Sequence, residues 1–188
     1  MKKPEKFTLE LEDDAPEYED MAFLFFHTSV PGYAFADDLN RLYRLALARQ
    51  DDLVLREYRW PLYRYHDLVS KLTYLVVERP SGSRGAAPHW SEGHKLMVIH
   101  GDLADIRAEA IRDDFGAPPQ LSPYPTPAEE ERLCILESYQ QELVPVSRFV
   151  PGETTDPRLP KKTAKERAEL ETLVYDLMDY LNLSRKEF

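Results

Sequence analysis

The chain has 188 residues, 43% hydrophobic and 31% charged, with a formal net charge of −10. That is enough apolar material for one core, and the negative balance opposes attraction to phosphate backbones, which argues against DNA and RNA as default partners. The lone Cys134 cannot close an internal disulfide, the start MKKPEKFTLELEDD lacks an apolar signal region, and the runs MAFLFF and LTYLVV fall short of the roughly 20 residues of a membrane span; a cytoplasmic chain without a membrane segment is expected.

Phe7, Leu9 and Leu11 alternate with polar residues in KFTLELE and predict a half-buried strand. Residues 10 to 20, ELEDDAPEYED, hold seven carboxylates and no base, and read as a solvated segment that can also select a basic partner. MAFLFFHT is continuously apolar from Met21 to Phe26 and predicts a strand covered on both faces. Pro31-Gly32 breaks the chain ahead of GYAFADDLNRLYRLALARQ, where Phe35, Leu39, Leu42, Tyr43 and Ala46 recur at helical spacing; a helix near 33 to 48 follows.

DLVLREYRW, PLYRYHDL and SKLTYLVVERP read as successive strands, and PSGSRGAAP connects them to HKLMVIH, so a β-meander is the economical arrangement. A helix near 102 to 115 should follow, with Asp102 as its cap, Asp105 in its first turn, and Leu103, Ile106, Ala110 and Ile111 as its buried stripe. GAPPQLSPYPTP, residues 116 to 127, carries five prolines and marks a boundary. Thr126-Pro127-Ala128-Glu129 then has the capping-box pattern of a helix through EEERLCILESYQQEL, although RLCILESY also tolerates an extended reading. Cys134 has mainly apolar neighbours there and is expected to be packed rather than reactive. A second capping box at Thr163 and Glu166 opens a last helix, lined on one face by Leu170, Leu173, Val174, Leu177 and Leu181. That face must bury itself against its own domain, a partner or a second copy.

The expected architecture is therefore α+β, with a largely antiparallel sheet and covering helices in residues 1–116, a proline-rich connection over 117–127, and a helical C-terminal extension over 128–188.

Three of the five histidines fall in HWSEGHKLMVIHGD, beside Glu92 and Asp102. His94 and His100 are six positions apart, so on one strand they share a face but stand about 20 Å from each other and cannot share a metal ion. No metal or cofactor is implied, and no nucleophile elbow, phosphate loop or paired cysteines occur. An enzyme would have to gather His100, Asp102, Glu92 or His66 into a cleft. REYRWPLYRYH, residues 56 to 66, interleaves arginines with aromatic rings, which is the physical recipe for single-stranded nucleic acid. On a strand, however, Tyr63 and Tyr65 take one face and Arg64 the other, and cross-strand packing explains the rings equally. The preferred function is a non-enzymatic binding or adaptor protein with no catalytic residue. Leu170, Leu173, Val174, Leu177 and Leu181 of the last helix, with Tyr63 and Tyr65, would contact a protein partner or a second copy.

The order of residues LELEDD, then an apolar strand and a helix running from Tyr33 to Leu39-Asn40, then DLVL and PLYRYHD, resembles a family of small bacterial proteins named for an IPExxxVDY signature. The resemblance spans roughly residues 7 to 115 and places the signature on WSEGHKLMV, where Glu92 alone matches. It implies a small α/β domain, and it carries no catalytic residue over.

Overall fold

The computed structural model describes residues 20–55, 58–80, 94–120, 122–142, 146–149 and 177. The fold is α+β. In chain order the elements are β1 (Met21–His27), α1 (Gly32–Tyr43), β2 (Ala48–Arg49), β3 (Leu53–Leu55), β4 (Tyr58–Trp60), β5 (Leu62–Asp67), β6 (Leu72–Glu78), β7 (His94–His100), α2 (Ala104–Gly116), α3 (Pro127–Gln141) and β8 (Val146–Phe149). Six strands form one sheet in the order β2-β5-β6-β7-β1-β8, with every pairing antiparallel, while β3 and β4 pair as a separate hairpin. The meander is thus β5-β6-β7, and the DLVL segment lies outside it.

Strand periodicity sorts the sheet's residues onto two faces. On the first, Ala22, Leu24, Phe26, Tyr63, Tyr74, Val76, Met97 and Ile99 form one cluster with the buried residues of the three helices. Phe26 stacks edge-on against Phe35 of α1 at 4.9 Å and Phe115 of α2 at 5.3 Å, and Tyr139 of α3 closes on Phe115 at 5.2 Å. Burying four rings of this size contributes several kcal/mol beyond any single contact. The Tyr139 hydroxyl donates to Asp38 Oδ2 at 2.7 Å, and burial, then Asp38, holds that phenol above its usual range.

The second face is closed as well. Phe23, Leu62, Leu75, Val77, Leu96 and Val98 on it are buried. Phe25 of β1, Leu53 and Trp60 of the hairpin, and Leu177 are also buried and do not belong to the first-face cluster.

Several expectations are corrected. The first helix ends at Tyr43 and not near 48: Arg44 turns left-handed at φ 54°. The Asn40 amide caps the returning chain, accepting from Leu47 N–H at 2.7 Å and donating to Leu47 O at 3.1 Å. Two arginines take the exposed carbonyls, Arg132 on Leu42 O at 2.7 Å and Arg107 on Tyr43 O at 3.4 Å, as a helix C-terminus requires. Residues 127–141 are helical, with the Thr126–Glu129 capping box formed as the sequence indicates. Their Ile135, Leu136 and Tyr139 enter the core, and β8 adds to the sheet beside β1. Cys134 is exposed, while α3 turns Ile135 and Leu136 inward. Asp102 makes no cap; Leu103 holds that position without a side-chain bond. The strand expected at 7–11 and the helix start at Thr163 lie outside the described residues. Among those residues no helix is long and apolar enough to cross a membrane.

Candidate functional site

Register brings two of the candidate histidines into one row. His66, Thr73 and His100 are successive cross-strand neighbours on β5, β6 and β7, followed by Met21 on β1. His66 Nδ1 lies 2.9 Å from Thr73 Oγ1. Adjacent strands are about 4.8 Å apart, so the two histidines stand on the order of 10 Å from each other with a buried threonine between them. Asp102 is exposed beyond Gly101, outside this row, and Glu92 and His89 lie outside the described residues. Among the described residues no group of three histidine, cysteine or carboxylate side chains is placed to hold a metal ion. The His66–Thr73 contact ties two strands together.

A second polar cluster sits at the opposite end of the sheet, on the helix face. The Lys95 side chain is fully buried, with Nζ 3.6 Å from Glu78 Oε1 and 3.5 Å from Thr28 O. Burial pushes this ammonium below its usual range, and Glu78 opposes the shift. Glu78 in turn accepts the Gly32 N–H on both oxygens at 3.0 and 3.1 Å, placing its charge at the N-terminus of α1. A Cβ at position 32 would lie 2.2 Å from Glu78 Oε2, so a larger residue there would displace the carboxylate. Glu142 receives Thr28 Oγ1 at 3.0 Å and Ser29 Oγ at 3.3 Å. The cluster anchors α1 and the end of α3 to the sheet.

Trp60, Tyr63 and Tyr65 of the arginine-rich stretch are used in packing. Tyr63 and Trp60 are buried, and Tyr65 is half-buried and stacked on Tyr74 at 6.2 Å. Arg49 is held by Asp52 and lies 5.6 Å over the Tyr63 ring, beside an open groove of about 420 Å³ lined by Arg49, Gln50, Asp51, Asp52 and Arg59. Of the residues expected to contact a partner, Leu177 and Tyr63 are buried and Tyr65 is half-buried; Leu170, Leu173, Val174 and Leu181 lie outside the described residues.

Exposed apolar side chains gather elsewhere. Helix α2 buries Ala104, Ala108, Ile111 and Phe115, whose small alanines allow the helix close to the sheet. Of the stripe read from the sequence, Ile111 is buried as expected, but the other three residues point the other way: Leu103 is 52% and Ile106 68% exposed, and Ala110 is exposed too. Asp105, Glu109 and Asp113, at i, i+4 and i+8, form an exposed acidic row along one edge of this outer stripe. At the start of α2 the chain meets the β5–β6 turn, because Gly101, at φ 132°, passes so close that a Cβ there would lie 2.8 Å from Lys71 O. That turn carries Leu68 at 82% and Val69 at 93% exposure, held by Asp67, which accepts Val69 N–H at 2.9 Å and Ser70 Oγ at 2.7 Å. The strand expected over residues 61–68 ends at Asp67, so Leu68 stands in the turn with Val69. The signal that finds them is the Asp67-x-x-Ser70 spacing, whose side chains bond to their own turn and leave the two middle residues outside.

No family model matches the chain, and no curated protein and no solved structure is similar to it.

Proposed function

We propose that the chain is a cytoplasmic, non-enzymatic protein-binding module, and that its docking surface is the outer stripe of α2 with the adjoining β5–β6 turn. One observation supports this reading: of the seven large apolar residues that stand exposed among the described residues, four, Leu103, Ile106, Leu68 and Val69, lie at the start of α2 and in the β5–β6 turn that the chain meets at Gly101. Contiguous exposed apolar groups mark contact surfaces when they cluster, whereas isolated ones need no explanation. The separated histidines support binding over catalysis, since acid–base chemistry needs groups in mutual reach. The likeness to the IPExxxVDY proteins implies no activity and leaves the proposal unchanged.

The test is the mass of the complexes that form around the full chain in its own cells. Ile106→Asp should remove a specific co-purifying protein, while Val54→Asp, at an exposed site on the hairpin, should retain it. Complexes that survive both Ile106→Asp and Val69→Asp would refute the surface.

A further inference from the structure

We infer that the proline-rich connection between α2 and α3 is a second docking element, which presents Tyr124 and its neighbouring prolines to a protein domain whose groove is lined by Trp and Tyr rings. The local sequence sets the shape. From Ser122 to Pro127, SPYPTP, every second residue is proline and each residue between them precedes one. Proline fixes its own φ at about −65° and holds the residue before it in the extended or polyproline region. Thr126, at φ −77° and ψ 156°, lies in that region. Prolines 118, 119, 123 and 125 have no N–H to give, so neither a helix nor a sheet can absorb the stretch.

Both ends are clamped while the middle is left outside. Phe115 packs on Tyr139, Gln140 donates to Phe115 O and Arg132 pairs with Asp114, which fixes the end of α2 against α3. The Thr126 N–H donates to Glu129 Oε2 at 2.7 Å and fixes the start of α3. Between them Pro119, Gln120, Ser122 and Pro123 are exposed, and the chain bends at Pro123 and Tyr124. Tyr124 stands 92% exposed, the most exposed aromatic ring among the described residues. A ring left in water adds nothing to the core, and the prolines around it have already lost much of the backbone freedom that binding would otherwise cost. Polyproline segments are recognised on these terms, by docking into grooves lined with aromatic side chains. Residues 117 to 127 carry no charged side chain, so the contact is apolar and its strength should change little with salt.

The test uses the full chain with a photo-crosslinking phenylalanine analogue in place of the exposed Gln120, expressed in its own cells and irradiated in their lysate at low and high salt. A crosslinked protein should appear at both, its crosslinked fragment should contain Trp or Tyr, and a synthetic peptide of residues 116–128 should compete for it. Tyr124→Ala should lower the crosslinked yield by about tenfold. Pro123→Ala combined with Pro125→Ala should lower it by about threefold or more, because alanine restores the freedom that proline removes. Both variants should keep the cooperative urea transition of wild type, since these side chains lie outside the core cluster. No crosslinked protein, or a yield that neither variant lowers, would overturn the inference. So would a second copy of this chain as the crosslinked product, or a partner fragment without Trp or Tyr.

Discussion

Helix α2 carries two apolar stripes, and they have opposite fates. Ala104, Ala108, Ile111 and Phe115 face the sheet, while Leu103, Ile106 and Ala110 face outward. Hydropathy alone favours the second set, which holds a leucine and an isoleucine near the helix start where the first set holds alanines. Packing reverses the choice. Two alanines let the backbone settle near β1 and β7, and Phe115 then reaches Phe26 and Tyr139, a ring cluster that no residue of the outer stripe could complete. A larger apolar residue left outside is therefore surplus to the fold, which is why its purpose is sought in binding.

The comparison yields predictions that descend in size. Leu177→Asp should be the most damaging, because it removes a fully buried leucine, worth about 2 to 5 kcal/mol, and adds a carboxylate that cannot be solvated. Urea unfolding should show the cooperative transition weakened or lost, and a variant as stable as wild type would free that residue for a partner. Phe115→Ala should cost about 3 to 5 kcal/mol in the same assay. Thr126→Ala, which removes an exposed cap that accepts Glu129 N–H at 3.3 Å, should cost about 1 kcal/mol.

Lys95→Met should change the pH dependence more than the stability. The folded-state pKa of Lys95 lies below its ordinary 10.5 because the ammonium is buried. Between those two values the unfolded chain holds a proton that the folded chain has released, so the stability conferred by Lys95 rises with pH across that window. Wild type should therefore gain on the variant as pH rises toward 10.5, and at neutral pH the variant should be no less stable, since Glu78 retains its bonds to Gly32. Parallel stability curves for the two proteins would remove Lys95 as the titrating group.

Local chemistry was legible in the sequence where a residue's partner is near in the chain. The Thr126–Glu129 capping box, the apolar run of β1 and the alternation of β5 to β7 depend on neighbours three residues away or on period alone. The end of α1 was not legible, because it is set by Arg107 and Arg132, which come from helices far along the chain. Nor was the joining of residues 127–149 to the core: five prolines signal a boundary in composition, yet Tyr139 reaches back to Asp38 and β8 pairs with β1. The docking surface was hidden for the same reason. Both stripes of α2 satisfy helical spacing, and only the sheet decides which one is covered.

Ile106 and Ile111 are the same residue on opposite sides of this one helix, so Ile106→Ala and Ile111→Ala, each measured by equilibrium urea unfolding, test the account most directly. Ile111→Ala should cost about 2 to 5 kcal/mol, and Ile106→Ala should stay within about 0.5 kcal/mol of wild type. Equal losses at the two positions, or the larger loss at Ile106, would mean that the outer stripe belongs to the core and would contradict the docking surface.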